Sequence, residues 1–412
     1  ILRCLVGSEM CIRDRLSSHC EYIMTFALGL LLIVQRFLSG AYKPVMDDWF
    51  LYGDLYKGIS NRLANFSIPN EKFAIRPLAG VFDCFVNAPL FNHLWIVELF
   101  LTFSLLFGSF LIIKALRRNN FASGGFFLCL VCLFPVGLEA TYWIAAATRV
   151  VYSLLFIGCA TLSLDYCYKS DKVKFLVMFA VFGMLSVCFY EPAIVVYIIL
   201  TLFIVWNNYR NKKDLLPLAI MAAHIAIIGI YYILNSGSGE IESRGGFLET
   251  DILEHTALVT DYTKNIFTDF TNSIFKNGYD KGIIIVFGGH KFIKILLIAI
   301  LSIIFGVFSA VCIKKRKFSW KILLLGIVMF FGGLSLNYIL GSDRIPLRLV
   351  FFAYLGIGIV IDELIVLLPL SFSRILCAVL LTVSAFSFTV TGIGEVSDYQ
   401  KTSDIDVALT SQ

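Results

Sequence analysis

The sequence predicts an all-α polytopic membrane protein with roughly eleven transmembrane helices and amphipathic helices in its external loops. Of its 412 residues, 58% are hydrophobic and only 15% are charged, and the mean hydropathy is +0.84. A soluble domain usually carries about 25% charged residues. The apolar residues also fall into segments of about 20 residues, the length that crosses a hydrocarbon core of about 30 Å.

The chain is predicted to contain one large transmembrane domain with short flanking segments. Residues 1–21 are treated as a non-native leader, because the chain starts at Ile1 and residues 4–15 resemble a translated sequencing adapter. The transmembrane domain covers 22–391, and 392–412 form a short external tail whose truncation is left open. The predicted spans are 22–40, 94–113, 121–137, 150–166, 174–190, 193–207, 215–235, 292–313, 319–340, 347–366 and 372–391.

Basic residues occupy every second connection between these spans. They are Lys114, Arg117 and Arg118; Lys169, Lys172 and Lys174; Arg210, Lys212 and Lys213; and Lys314, Lys315, Arg316 and Lys317. Because short cytoplasmic loops are enriched in Lys and Arg, these connections are predicted to be cytoplasmic and the alternate ones external. The net charge of +5 is explained by this topology, so nucleic acid is not a predicted partner. The long external loops 41–93 and 236–291 carry apolar residues at helical spacing and are predicted to lie along the membrane face.

Two adjacent carboxylates, Asp47 and Asp48, follow the first span in the external loop 41–93. A carboxylate at a membrane surface can act as a general base, so both are candidate catalytic residues. The alternative is that they cap a helix starting at Trp49, where carboxylates meet the positive end of the helix dipole. Successive helical residues point about 100° apart, so one of the pair should face a cavity, and Asp47 is favoured.

Four arginines in the predicted external segments are candidates for binding a phosphate. They are Arg76, Arg149, Arg344 and Arg348. The guanidinium group offers fork-shaped donors that match phosphate oxygens. For the last two, which begin the tenth span, anchoring to lipid headgroups is the alternative interpretation.

Five more external residues are predicted to line a substrate cavity. They are Glu139, Tyr142, Trp143, Tyr190 and Glu191. The aromatic pair can also be explained as interfacial anchors. The loop that holds Glu191 is too short to leave the membrane surface, where a carboxylate is costly unless it is paired or faces a wet cavity. Within the spans, Glu98 is predicted to face the interior and His224 to make a contact between helices.

Few other chemical motifs occur in the sequence. The chain has no Walker-type loop, no H-E-x-x-H and no G-x-S-x-G, which argues against ATP-driven transport, metalloproteolysis and serine hydrolysis. Cys129 and Cys132 imitate a C-x-x-C pair, but no second pair follows, so no zinc or redox site is predicted. A divalent cation, Mg²⁺ or Mn²⁺, is left open as a cofactor, and Asp47, Asp48 and Glu191 could be either its ligands or bases.

The order of these stretches resembles the GT-C class of polytopic membrane glycosyltransferases, and within it the bacterial O-antigen glucosyltransferase type. The matching pieces are Asp47-Asp48-Trp49-Phe50, Arg76-Pro77-Leu78, Tyr142-Trp143-Ile144, Tyr190-Glu191-Pro192 and Arg344 to Arg348. The resemblance implies a polyprenyl-phosphate sugar donor, a glycan or lipid acceptor and an inverting transfer with Asp47 or Asp48 as the base. It also implies that Arg344 or Arg348 contacts the donor phosphate, and that the active site lies on the periplasmic face of the bacterial inner membrane.

Two other classes of function remain as alternatives. A lipid-linked saccharide polymerase or ligase would depend on arginines in two large external loops rather than on an acidic pair. A flippase or secondary transporter of lipid-linked saccharides would carry polar residues at mid-span in broken helices.

Overall fold

The computed structural model describes residues 2–45, 47–52, 55–60, 76–170, 172–209, 215–234, 252–288, 292–339 and 347–410, and every element within these ranges is helical. The helices are α1 Leu2–Phe37, α2 Asp47–Tyr52, α3 Pro77–Phe82, α4 Leu94–Arg118, α5 Gly125–Leu133, α6 Leu138–Thr141, α7 Ile144–Ser170, α8 Val173–Phe189, α9 Ala193–Asn208, α10 Leu216–Leu234, α11 Ile252–Asn265, α12 Tyr279–Phe287, α13 Phe292–Val311, α14 Trp320–Ile339, α15 Leu347–Leu364 and α16 Leu370–Thr410. Single helical turns lie at Leu55–Lys57, Asp83–Asn87, Ala88–His93, Pro135–Gly137, Ile266–Phe270, Thr271–Ser273, Ile274–Gly278 and Ile365–Leu367.

In the part of the chain that the structure describes, six helical segments are long and apolar enough to cross a membrane. They are His19–Phe37, Pro77–Arg118, Ile144–Ser170, Phe292–Val311, Leu347–Leu367 and Leu370–Asp406. Four shorter apolar helices accompany them, at Val173–Phe189, Ala193–Asn208, Leu216–Tyr231 and Trp320–Ser335. Each of these segments overlaps one predicted span. Their lengths and composition are those of a multi-pass α-helical membrane protein.

The predicted span 121–137 contains the nine-residue helix α5 and, after it, the single turn Pro135–Gly137. Such a helix rises about 14 Å, half of a hydrocarbon core of about 30 Å. Its first N–H groups are bound by Asp362 in α15, which accepts from Phe127 N at 2.9 Å and from Phe126 N at 3.3 Å. It ends before Pro135, because proline lacks the N–H group that a continuing helix needs. A helix of this length is compatible with a membrane domain where it is enclosed by protein, and the side chains of α5 are mostly buried.

The predicted external tail 392–412 is helical over its described part, because α16 continues without interruption to Thr410. Val390, Ile393 and Val396 are buried along one side of this extension, at the spacing of a helical stripe. The same extension carries Gln400, whose amide donates to the Gly40 carbonyl at 3.4 Å. The end of α16 is therefore part of the helical body.

The predicted leader 1–21 is also helical in its described part, since α1 begins at Leu2. Glu21, at its boundary, forms an ion pair of 2.8 Å with Arg117 at the end of α4. The packed part of the chain therefore includes Glu21.

The helices have two chemically different ends. At one end, Asp165 near the end of α7 binds Arg118 and, at 2.7 Å, Lys169, while Arg316 pairs with Glu363 at 2.5 Å. The described residues of three predicted cytoplasmic loops thus meet at this end, which we call the basic end. The opposite end contains α2, α6 and the first turns of α7 and α15, and we call it the site end. The loop Arg210–Lys213 lies outside the described residues.

Helices α4 and α7 connect the two ends and cross at glycines. A Cβ atom on Gly158 would lie 2.6 Å from the Gly108 carbonyl oxygen, and one on Gly108 would lie 2.7 Å from the Leu155 Cα atom. Small residues of this kind let helices in a membrane approach closely. The crossing with α4 fixes the position of α7, and the first turns of α7 form part of the site end.

Candidate functional site

Asp48 is fully buried and serves as a cap for α7. Its carboxylate accepts hydrogen bonds from Ala145 N at 2.8 Å, from Val45 N at 3.0 Å and from the Tyr42 hydroxyl. The Tyr42 oxygen in turn accepts from Ile144 N at 3.1 Å, so two of the first N–H groups of α7 are satisfied. Burial raises the pKa of Asp48 to about 6, although these hydrogen bonds oppose the rise. The capping alternative thus holds for Asp48, but the capped helix is α7 and not a helix starting at Trp49.

Asp47 is the half-exposed member of the acidic pair and contacts an arginine. Its Oδ2 atom accepts from Arg348 Nη1 at 3.2 Å, in the first turn of α15. Glu139 of α6 approaches the same Nη1 atom to 3.9 Å and accepts from Leu347 N at 3.1 Å. Burial raises the pKa of Glu139, and the positive charge of Arg348 opposes this effect. Three predicted site residues from distant parts of the chain therefore meet around one guanidinium group.

Arg76 and Glu191 form a second predicted pair. Arg76 Nε donates to Glu191 Oε2 at 2.6 Å, and Arg76 Nη2 donates to Glu191 Oε1. The guanidinium group also lies 4.9 Å from the centre of the Tyr190 ring. The pair ties the residue before α3 to the turn between α8 and α9. The carboxylate that the sequence indicated as costly is thus neutralised by a partner.

Arg149 belongs to a buried network that sequence reasoning missed. It donates to Asp83 at 2.8 Å and to the Ala145 carbonyl. Asp83 also accepts from the Tyr52 hydroxyl at 2.9 Å and from Asn87 at 3.2 Å. Asp83 could have been singled out from the sequence, because it is an acidic residue inside an apolar helical stretch. This network fixes the last residue of α2 and therefore the helix that carries Asp47.

The aromatic residues of the predicted cavity form a buried stack with the end of α16. The Tyr142 ring is buried, with its centre 4.9 Å from that of Tyr42 and 6.1 Å from that of Tyr399. Trp143 meets Tyr399 edge-on at 5.5 Å. The Tyr142 ring is thus packed inside the protein rather than placed as an interfacial anchor. That Tyr142 and Trp143 line a substrate cavity stays a prediction. The contact with Tyr399 was not predicted, because that residue lies in the predicted tail.

A buried ion pair lies within the candidate spans near this end. Arg36 of α1 and Glu98 of α4 are both fully buried and 2.5 Å apart, and Arg36 also donates to Thr102 at 3.0 Å. The prediction that Glu98 faces the interior is confirmed. In another part of the bundle, the Tyr197 hydroxyl lies 3.0 Å from His224 Nδ1, which confirms the predicted contact between helices.

The carboxylates left open as ligands of Mg²⁺ or Mn²⁺ do not fit such a site. Asp48 is bound by backbone N–H groups and a hydroxyl, Asp47 by Arg348, and Glu191 by Arg76. Among the described residues there is no group of three or more metal-ligating side chains. No step of the chemistry below is therefore assigned to a metal ion.

The structure thus brings most predicted site residues to the site end in two clusters. One contains Asp47, Glu139 and Arg348, and the other contains Arg76, Tyr190 and Glu191. Arg344 lies outside the described residues.

Comparison of the chain with protein-family models, with curated proteins and with solved structures found no match. The resemblance to the GT-C class therefore depends on the residues of this chain alone.

Proposed function

We propose that the chain is a membrane glycosyltransferase that moves a hexose from a polyprenyl-phosphate donor to a glycan or lipid acceptor of the cell envelope, as in O-antigen or other polysaccharide biosynthesis. The observation that carries the proposal is the contact between half-exposed Asp47 and Arg348 at the end of a bundle of membrane helices. Transfer from a lipid-linked phosphate needs a base and a cation within reach of each other. The proposal includes eleven spans in the bacterial inner membrane and a periplasmic site end.

In this mechanism Asp47 is the base and Arg348 binds the leaving group. The Asp47 carboxylate takes the proton of the acceptor hydroxyl, whose oxygen attacks the anomeric carbon of the sugar. The bond from that carbon to the phosphate oxygen breaks with inversion, and the electron pair leaves on polyprenyl phosphate. Arg348 stabilises the negative charge that develops there. Asp48 takes no part in the proton transfer, because its oxygens are occupied by Tyr42, Val45 and Ala145.

The remaining candidates support the walls of the site. Arg76 is held by Glu191, and Arg149 by Asp83, so both position the segments around α3. Arg344 stays a candidate for a second contact to the donor phosphate. Trp143, the half-buried member of the aromatic stack, would receive the sugar, and the buried Tyr142 would support it.

A transporter of lipid-linked saccharides is the second candidate. The observation that favours it is the buried ion pair of Arg36 and Glu98 inside the candidate spans. A second polar pair, Tyr197 and His224, lies between helices in another part of the bundle. Ionisable groups within spans are costly and often mark a transport pathway. A transporter would move the labelled lipid across the membrane without breaking the bond between sugar and phosphate.

The deciding experiment uses the purified chain in lipid vesicles with polyprenyl-phosphate glucose and an extract of envelope glycolipids. Wild-type protein should release polyprenyl phosphate, and Asp47→Asn should lower this rate at least about 100-fold, the usual contribution of a general base. The matched control is Asp404→Asn, which removes an exposed carboxylate paired with Lys43 at 2.5 Å at the same end. Full activity of Asp47→Asn, or movement of intact donor across the vesicle without release, would refute the transferase.

A further inference from the structure

We propose that Arg348 exchanges partners during the reaction: the donor phosphate displaces Asp47 from the guanidinium group, while Glu139 keeps the arginine in place. Binding of the donor then frees the base. This inference rests on the proposed function and adds an order of events at the same site. It requires that the two carboxylates around Arg348 differ in how easily each can leave.

The two carboxylates differ in distance and in exposure. The Asp47 side chain is 51% exposed and contacts Arg348 Nη1 at 3.2 Å, whereas the Glu139 side chain is 13% exposed and lies at 3.9 Å. Glu139 is also fixed to the backbone of α15 through Leu347 N. Exposed ion pairs contribute about 0–1 kcal/mol, so the contact to Asp47 can be broken at little cost. Asp47 is therefore the partner that leaves.

Arg348 is also the most accessible arginine among those described at the site end. Its side chain is 34% exposed, against 15% for Arg76 and 11% for Arg149. Arg76 already binds both oxygens of Glu191, and Arg149 is held by the buried Asp83. A ligand arriving from the membrane surface would therefore meet Arg348 first.

The donor phosphate is a diester, and its two non-bridging oxygens make it a stronger partner for this arginine than the single Asp47 oxygen is. In the described part of the chain, both contacts of Arg348 to carboxylates use the same atom, Nη1. Phosphate oxygens can engage two N–H groups of the guanidinium fork at once, which gives shorter and stronger charge-assisted bonds. The exchange therefore replaces a contact at one nitrogen by a two-point contact.

The exchange also gives the site an order of binding. While Asp47 contacts Arg348, its carboxylate is directed at the arginine rather than at an acceptor hydroxyl. Since two groups that compete for one cation weaken each other reciprocally, removing the Asp47 charge should strengthen phosphate binding. The same substitution abolishes turnover in the proposed mechanism. Tighter binding together with lost catalysis is the signature of the exchange.

The test is a titration of the purified chain in nanodiscs with polyprenyl phosphate, which carries the phosphate but no sugar. Asp47→Asn should bind about fivefold more tightly than wild type, at the lower end of typical coupling between sites. Asp47→Glu keeps the carboxylate and should stay within about twofold of wild type. Asp404→Asn, the matched exposed carboxylate, should leave the affinity unchanged.

The outcomes separate this inference from the proposed function. If wild-type protein transfers glucose but Asp47→Asn binds polyprenyl phosphate equally or more weakly, the exchange is refuted and the transferase stands. If wild-type protein neither transfers sugar nor binds polyprenyl phosphate, both fail. Equal elution volumes of the variants in detergent establish that each is folded before the titration.

Discussion

Asp47 and Asp48 are neighbours in the chain, but α2 turns their side chains into different surroundings. Asp47 meets Arg348 across the surface of the site end, whereas Asp48 is buried beneath α2 and caps α7. The angle of about 100° between successive helical residues explains the difference. One carboxylate is thus available to a ligand while the other holds the backbone that presents it.

At the residue scale, Asp48→Asn should destabilise the fold. The amide nitrogen of asparagine cannot accept the hydrogen bonds that an Asp48 oxygen receives from Val45 N and Tyr42. A buried donor left without an acceptor costs about 1–3 kcal/mol. Thermal unfolding in detergent should show a lower midpoint for Asp48→Asn than for the exposed control Asp47→Asn. Equal midpoints would contradict the capping role.

The stability effect of Asp48 should also depend on pH. Its pKa is raised to about 6 by burial, against about 3.9 in an unfolded chain. Between these values the folded state binds more protons than the unfolded state, so the free energy of unfolding falls as pH rises from about 4 to 6. Asp48→Asn lacks this titration. Its deficit relative to wild type should therefore be larger near pH 4 than near pH 7, and a deficit that grows with pH would contradict this explanation.

At the scale of helices, features set by neighbouring residues could be predicted from the sequence, whereas features set by contacts between distant residues could not. Long apolar stretches are visible in the sequence, and each candidate span overlaps a predicted one. The short helix α5 was not predictable, because its N-terminus is bound by Asp362, 235 residues away from Phe127. The extension of α16 had a readable signal in Val390, Ile393 and Val396, since they follow helical spacing.

The candidate site was likewise predictable only in part. The residues of the site and their position at one end of the bundle could be predicted, because charged residues without a topological role are rare in this sequence. The pairing of Asp47 with Arg348 joins positions 301 residues apart and depends on how α6 packs on α15. No local pattern contains that information. The buried partner of Arg149, Asp83, was missed for the same reason.

The crossing of α4 and α7 gives a prediction at the same scale. Gly158→Ala would place a methyl group 2.6 Å from the Gly108 carbonyl oxygen, and overpacking of this kind costs about 1–3 kcal/mol. Gly229→Ala in α10 is the matched control, because nothing lies within 4 Å of its added methyl group. The thermal midpoint should fall for Gly158→Ala and stay level or rise for Gly229→Ala. A similar midpoint for both would contradict the close crossing.

At the scale of the whole molecule, the charges divide the bundle into two ends. Arg118, Lys169 and Arg316 gather at the basic end, bound to Asp165 and Glu363. Predicted cytoplasmic loops that are far apart in the chain therefore lie together. The proposed site occupies the opposite end, which the enrichment of cytoplasmic loops in basic residues predicts to be external.

This arrangement predicts the outcome of a topology experiment. A reporter fused after Lys317 should be active in the cytoplasm, because that residue belongs to a basic loop. A reporter fused after Gly239, in the predicted loop 236–291, should be active outside. The reverse pattern would place the site end in the cytoplasm and refute a periplasmic reaction.

The length of α7 bears on how a lipid would arrive at the site. Its 27 residues rise about 40 Å, which is close to the thickness of a bilayer with its headgroup layers included. With Lys169 in one headgroup layer, the first turn of α7 and the nearby Arg348 lie in the other. The phosphate of a polyprenyl lipid sits at that depth while its chain stays in the hydrocarbon. Such a substrate could diffuse sideways to Arg348 without leaving the membrane, and a polar acceptor could enter from the water above.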